Sequence, residues 1–434
     1  MHTLEQLRAG ALKGVRRLTL TNAGLTAFPD EIYDLADSLE VLDLSGNALQ
    51  SLPDDLPRLL KLKVLFCSNN PFTELPTVLG RCAHLEMIGF KANQLRHVPE
   101  EALPPQLRWL ILTDNQIGAL PETIGECRHL QKLALAGNQL RALPDSLAQC
   151  ERLELLRISA NQLSALPEWL CTMPRLTWLA FGGNPFSLSH EAAALAQAPI
   201  PAVPWDQLTL DHLLGEGASG HIYRAHLPDG APVALKLFKG GLTSDGLPDS
   251  ELAACLQAGA HPQLISVQGR LTGHPTQTQG LLMPLIGPSF RTLAGPPSLA
   301  SCTRDVYASD GRLPARTVMQ LAAGLASALQ HLHARGLLHG DLYGHNILHD
   351  GEGRGLLGDF GAASFLPAAP AHQVERLKRL DIRAMGCLFE ELLEHGDPLA
   401  PDDHAWLSAL RDACLLPDPA QRPSAGDLVA AFQS

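Results

Sequence analysis

Asparagines recur through the first half of this 434-residue chain at Asn47, Asn70, Asn93, Asn115, Asn138, Asn161 and Asn184, always 22 or 23 residues apart. A fixed period of this length restricts the fold to a stacked array, because one such unit cannot bury its own apolar face and must lean on its neighbours. Each asparagine follows two apolar residues two positions apart, such as Leu42 and Leu44 or Leu133 and Leu135. An apolar residue comes two positions later, and in most copies a Leu-Pro or Val-Pro step soon after. An earlier, imperfect copy has Leu18, Leu20 and Leu25, with Ala23 at the asparagine position. The alternating pair predicts a short strand with its leucines turned inward. The asparagine amide can satisfy backbone groups where the chain leaves the strand, at the same place in every coil. Stretches such as Leu52-Pro53-Asp54-Asp55-Leu56 then close the opposite side, and the amphipathic segment before residue 14 predicts an end cap.

The pattern LxxLxLxxNxLxxLP resembles the leucine-rich repeat, which implies a curved α/β solenoid with a concave strand face. The positions between the inward leucines face outward on that surface. They read Val41 and Asp43, Val64 and Phe66, Met87 and Gly89, Trp109 and Ile111, Lys132 and Ala134, Leu155 and Arg157, and Trp178 and Ala180. Phe66, Met87, Trp109, Ile111, Leu155 and Trp178 make an apolar stripe that the core does not require. Such a stripe is expected to bind a protein ligand; the alternative is packing against the chain's own second half.

The bulk numbers narrow the classes. With 45% hydrophobic and 18% charged residues the chain is a globular one. A net charge of −12 argues against nucleic acid or a membrane surface as partner, since both need a basic face. No run is apolar and long enough to span a bilayer, and the N-terminus lacks the long apolar stretch of a signal peptide. The nine cysteines are scattered without CxxC pairs, and Cys67, Cys82, Cys127 and Cys150 sit where a small core residue belongs. A reducing cytoplasm is the expected location, with signal-free export to a host cell compatible. The excess of arginine over lysine, with abundant alanine and leucine, is the bias of GC-rich bacterial genomes.

The repeats fade after Phe186, and the proline-rich stretch 198–204 marks a spacer. Beyond it comes Leu214-Gly215-Glu216-Gly217-Ala218-Ser219-Gly220-His221-Ile222, whose Gly215, Gly217 and Gly220 would let a hairpin approach phosphates. Val233-Ala234-Leu235-Lys236 follows, with Glu251 opening an apolar helical segment. Further on stand His339-Gly340-Asp341-Leu342-Tyr343-Gly344-His345-Asn346, then Asp359-Phe360-Gly361, with a strong helical pattern from Pro314 to Arg335 before them. Asp381 and Arg422 occur in DIRAMGCLFEELL and DPAQRP.

In this order and at these spacings the second half resembles a eukaryotic-like protein kinase, and the whole chain resembles a bacterial-type leucine-rich-repeat protein kinase. The resemblance leaves only the spacer and an irregular insertion at about 288–312 uncovered. It implies an end cap at 1–13, a solenoid at 14–190, a linker at 191–206 and a bilobal α+β kinase at 207–434, its lobes meeting near residue 286. It also implies ATP and magnesium. Leu214, Gly215, Gly217, Gly220, Ile222, Ala234, Met283 and Ile286 would surround the nucleotide, with Met283 the gatekeeper and Pro284 to Ile286 the hinge. Lys236, braced by Glu251, would hold its phosphates. Asn346 and Asp359 would ligate metal, and Asp341 would orient the acceptor hydroxyl. His339 would brace the loop, Asp381 would tie down its backbone, and Arg422 would be structural.

Four departures stand out. Gly340 replaces the arginine usual before the catalytic aspartate, which argues against activation through a phosphorylated loop. Tyr343 stands where serine/threonine kinases carry lysine, and His345 where many tyrosine kinases carry arginine. No Ala-Pro-Glu motif lies between Gly361 and Asp381, so the peptide-docking segment is truncated, with Glu375 a candidate partner for Arg422. Three readings stay open: a protein kinase acting on serine or threonine ahead of tyrosine, a scaffold without catalysis, and a small-molecule phosphotransferase. Retention of Lys236, Asp341, Asn346 and Asp359 argues against the second, and the Asp359-Phe360-Gly361 motif, the stretches around Asp381 and Arg422 and the fused repeats favour a protein target over the third.

Overall fold

The computed structural model describes residues 2–197, 200–217, 219–308 and 311–434. Part of the proline-rich spacer (Ala198 and Pro199), Ala218 of the glycine-rich loop, and Ser309 and Asp310 of the insertion fall outside the described residues. The chain forms two compact units: Met1–Leu156 with Asn161–Leu170, and Arg157–Ala160 with Cys171–Ser434.

In the first unit each repeat contributes a three-residue strand, among them Arg17–Thr19, Val41–Asp43, Val64–Phe66, Met87–Gly89, Trp109–Ile111 and Lys132–Ala134. They pair in parallel and in chain order, each residue opposite its counterpart one repeat on, as Leu42 faces Leu65. The central leucines Leu18, Leu42, Leu65, Leu110 and Leu133 are fully buried, because a period of two sends them all to one face. Prolines 29, 76, 121 and 144 hold extended backbone and hand over to short 3-10 turns on the opposite side.

The asparagines form a ladder. Asn70 Nδ2 donates to the carbonyls of Leu44 and Cys67, and its Oδ1 accepts the Leu49 amide at 2.9 Å. Asn115 and Asn138 repeat the arrangement two and three coils on. Each amide thus satisfies three buried backbone groups, each net bond contributing about 1 kcal/mol. At the N-terminus a capping box between Thr3 and Gln6 starts the helix Leu4–Arg8. All nine cysteines are free and buried, and burial pushes the Cys127 thiol up to about 12.

The second unit holds the last repeat strand, Trp178–Ala180, and a helix at Leu188–Gln197, followed by a six-stranded sheet. Its order is Thr209–Glu216, Gly220–His226, Pro232–Phe238, Gly280–Pro284, Gly269–Thr272, Ala202–Pro204. All neighbours are antiparallel except the last pair. Ala202–Pro204, read from the sequence as spacer, is therefore an edge strand, where proline's missing N–H is readily tolerated. The helix Pro248–Ala258 follows this sheet's third strand in sequence, and Leu252 packs with Phe238 and Leu281.

A helical part follows, with Ala315–Ala334, Ala371–His395, Pro401–Cys414 and Ala425–Gln433. After Gly361 the chain makes a two-residue strand, Ser364–Phe365, against Leu337–Leu338 and enters the 25-residue helix at Ala371. That helix absorbs the stretch where the sequence showed a shortened segment. The insertion joins the same part: Arg291–Thr292 pairs with Ile347–His349, and Arg304 is ion-paired to Glu390 and Glu391 at 2.9 Å.

Candidate active site

A cavity of about 480 Å³ lies within the second unit. The hairpin turn with Gly215, Gly217 and Gly220 borders it, together with Leu214, Ile222, Ala234, Leu281, Met283, Pro284, Leu285, Ile286 and Leu348. One end is polar, formed by Lys236, Glu251 and Asp359. Side chains from five strands thus leave a largely apolar slot with charge at one end, the usual build of a small-molecule site. A Cβ at Gly215 or Gly217 would meet nothing within 4 Å, so the space beside this turn is open.

Lys236, on the strand Pro232–Phe238, is 6% exposed, and its Nζ donates to Glu251 Oε1 at 2.6 Å and to Asp359 Oδ1 at 3.5 Å. Burial alone would push the ammonium down; the Asp359 and Glu251 carboxylates outweigh it and hold Lys236 above the ordinary lysine range. Lys236 in turn holds Asp359 below the usual carboxylate range, helped by the Gly361 amide at 3.2 Å. Glu251 is aimed by its helix, whose first turn is anchored through Ser250: the Ser250 hydroxyl donates to Glu191 Oε2 at 2.7 Å. Glu191 also accepts from the Ser187 hydroxyl and the Gly183 amide, both at 2.7 Å. Nothing in the motifs pointed to Glu191.

Asp341 lies on the loop after Leu337–Leu338. Asn346 Nδ2 donates to its Oδ2 at 2.7 Å and to its carbonyl at 2.9 Å. Beneath the loop, Asp381 accepts the amides of His339 at 2.9 Å and Gly340 at 3.0 Å and meets His333 Nε2 at 3.1 Å. Burial would raise the Asp381 carboxyl, but His333, His339 and the Gly340 amide prevail and hold it below its ordinary value. His339 itself faces the Gly358 carbonyl at 3.1 Å and packs on Phe360, fully buried.

Gly340 adopts φ +70°, and a Cβ there would sit 2.5 Å from the Leu179 carbonyl oxygen and 2.8 Å from that of Ala362. No arginine fits. Tyr343 stacks on Trp178 with centroids 4.2 Å apart, and the Trp178 indole N–H donates to the Leu342 carbonyl at 3.1 Å. His345 pairs with Asp305 at 2.7 Å, and Asp305 also accepts the His345 amide, so the insertion braces the loop. Burial would lower the His345 imidazole, but the Asp305 hydrogen bond and charge raise it.

Arg157 completes the surround. Its Nε donates to Asp245 Oδ1 at 2.6 Å, Nη1 to the Gly340 carbonyl at 3.0 Å, and Nη2 to Asp341 Oδ1. Burial raises the Asp341 carboxyl, and Arg157 opposes the rise.

The structure moves two expectations. Trp178, expected on a ligand-binding stripe, is 1% exposed because Tyr343 covers its ring. Leu155 and Met87 are also buried, while Phe66, Trp109 and Ile111 are half-buried and Lys132 Nζ lies 4.3 Å over the Trp109 ring. Arg422 does not meet Glu375, which pairs with Lys378 at 2.7 Å. Arg422 donates instead to the carbonyls of Leu416, Arg379, Pro174 and Pro417. Buried without a carboxylate and near Arg383, it is pushed down to about 9.

Residues 208–379 match the protein kinase domain, and residues 128–186 and 38–59 match leucine-rich repeats. The chain therefore carries leucine-rich repeats together with a protein kinase domain. It is 28% identical over 199 residues to a probable LRR receptor-like serine/threonine-protein kinase of Arabidopsis thaliana, covering 44% of this chain and 30% of that protein. A second such Arabidopsis thaliana protein is 30% identical over 169 residues, covering 37% of this chain and 26% of the relative. A solved LRR protein of Leptospira interrogans aligns at 26% identity and a TM-score of 0.37, covering 42% of this chain and 52% of that one. The alignments to the two plant relatives span less than a third of their length. No described helix is long and apolar enough to cross a membrane.

Proposed function

We propose that the chain is a protein kinase that transfers the γ-phosphoryl group of ATP to a serine or threonine hydroxyl of a protein. The observation that carries this reading is the Lys236–Glu251 pair at 2.6 Å, with Asp359 beside it, at the polar end of the slot. A scaffold has no physical need to bury a lysine between two carboxylates. The adenine would lie among Leu214, Ile222, Ala234, Met283 and Ile286, with its phosphates toward Lys236. In the transfer the acceptor O–H bond breaks, its proton passes to the Asp341 carboxylate, and the freed electron pair bonds phosphorus. The bond from phosphorus to the bridging oxygen breaks, and that electron pair leaves with ADP.

The donor set suits a hard divalent cation. Asn346 spends its N–H group on Asp341, which leaves its amide oxygen as the available ligand atom, and Asp359 supplies a carboxylate held ionised by Lys236. Magnesium bound there would neutralise phosphate charge. Asn346 and Asp359 would hold it while the chain's own groups orient the acceptor.

On this reading the catalytic loop is of the type lacking arginine before its aspartate. The organisation is an end cap at 1–13, repeats at 14–190, a linker at 191–206 and the kinase at 207–434, even though residues from 171 onward group with the second unit. Phe66, Trp109 and Ile111 are the part of the apolar stripe left partly open for a protein ligand. The composition and the buried free cysteines support a bacterial, cytoplasmic protein.

The test is incubation of the full chain with radiolabelled ATP, magnesium chloride and dephosphorylated casein, beside Asp341→Asn. Label on casein or on the chain itself is expected, falling about 10³-fold in the variant. Absence of label together with absence of magnesium-ATP binding by calorimetry overturns the reading. Equal label in both proteins removes Asp341 from its role.

A further inference from the structure

Among the described residues Arg157 is the one cation in ion-pair contact with Asp341. It comes from the repeat pattern, 184 positions away in sequence, and its side chain is 4% exposed. Among the described residues no side chain of the loop itself forms an ion pair with Asp341. At residue 340 a side chain is excluded by the Leu179 and Ala362 carbonyls, at 343 the aromatic ring is committed to Trp178, and at 345 the imidazole is committed to Asp305.

Arg157 is itself fixed. Asp245 holds its Nε at 2.6 Å, and the Ser244 hydroxyl donates to the other Asp245 oxygen at 2.8 Å. The result is a chain of contacts, Ser244 to Asp245 to Arg157 to Asp341 to Asn346, in which Arg157 holds Oδ1 of the Asp341 carboxylate and Asn346 holds Oδ2.

We propose that Arg157 is a positioning residue for phosphoryl transfer, replacing from the repeat segment the cation that the catalytic loop lacks. It orients the Asp341 carboxylate toward the acceptor hydroxyl. The inference rests on the kinase reading above. Each carboxylate oxygen has two lone-pair directions, so one bond to Arg157 and one to Asn346 still leave room for an incoming hydroxyl. A planar guanidinium carrying five N–H donors can hold Asp245, the Gly340 carbonyl and Asp341 at once; an ammonium cannot match that fork. The negatively charged donor approaches a site that already holds Asp245, Asp341 and Asp359, and Arg157 offsets part of that charge.

The experiment measures label transfer from radiolabelled ATP to casein, or to the chain itself, with the full-length wild type, Arg157→Ala, Arg157→Lys and Asp341→Asn. Arg157→Ala is expected to lower kcat about 100-fold with KM for ATP changed less than about twofold, since the residue is absent from the slot that would hold the nucleotide. Arg157→Lys should recover part of the loss, and added guanidinium chloride at millimolar concentration should partly rescue Arg157→Ala. A merely structural residue would show neither recovery. If Arg157→Ala does not fold, Arg157→Lys decides alone: lowered kcat with unchanged ATP affinity supports the role, and wild-type kcat overturns it. An alanine variant as active as wild type overturns the proposal, as does a faster one, which would make the contact a block. Loss that follows ATP affinity overturns it too. If Asp341→Asn labels as well as wild type, the kinase reading fails, and Arg157 with it.

Discussion

The slot and the acceptor loop are built in opposite ways. In the slot, Gly215, Gly217, Lys236 and Glu251 lie within 37 residues of sequence, and the lysine finds its glutamate 15 residues away. Asp341 is gripped by Arg157 from 184 residues before it and rests on a loop tied to Asp381, some 40 residues after. Trp178 stacks on Tyr343 and Asp305 holds His345. The stretch from the glycine turn to Glu251 builds most of the slot's phosphate end locally, and Met283, Leu348 and Asp359 complete it from further along the chain. Acceptor positioning in this chain depends on long-range packing, so it should fail under substitutions that leave the slot whole.

The largest expected stability effect is at Trp178. Its ring is 1% exposed and stacked, and its N–H is bonded to the loop backbone. Trp178→Ala should cost about 3–5 kcal/mol, the range for truncating a buried aromatic. Thermal melting should show it, and transfer should fall more than magnesium-ATP binding does. If both fall equally, loop and slot are one cooperative structure and the contrast between them dissolves.

A glycine pair sharpens the contrast. Gly340→Ala forces a side chain into left-handed backbone against two carbonyl oxygens, and should cost about 2 kcal/mol or more. Gly217→Ala meets open space at ordinary φ, so stability should change by less than about 1 kcal/mol, and toward greater stability. Any defect it causes belongs in KM for ATP. Urea denaturation of the two variants compares them directly, and an equal loss in both would remove the distinction.

The same contrast explains what was legible in the sequence. The asparagine ladder and Lys236 could be read because their physics repeats at fixed spacing: Asn70, Asn115 and Asn138 each bridge a carbonyl of their own coil to backbone groups of the coil before. Arg157 was readable as an outward strand position, and nothing in its neighbourhood names Asp341 or Asp245. Trp178 looked like a ligand-binding aromatic for the same reason, since periodicity gives a residue's direction and not what stands opposite it. Asp305 lay in a stretch with no pattern at all. For Arg422 the motif prompted a search for a carboxylate, whereas the folded chain offers four carbonyl oxygens, acceptors that every residue carries and that no sequence pattern marks.

The smallest predicted effect tests how closely the loop is fitted. Tyr343 is 4% exposed, and its hydroxyl has no hydrogen-bond partner among the described residues. Its ring therefore carries the stacking on Trp178, while its oxygen loses water without gaining a bond. Removing an unpaired buried hydroxyl ends that desolvation cost, so Tyr343→Phe should be neutral or stabilising by about 1 kcal/mol. Transfer should be unchanged, because Asp341 is held by Arg157 and Asn346 and not by the phenol. A clear loss of kcat with intact melting would instead give the phenol a place in the reaction. The acceptor loop would then lean on a second residue of its own beside Asn346, and its dependence on distant support would be correspondingly less complete.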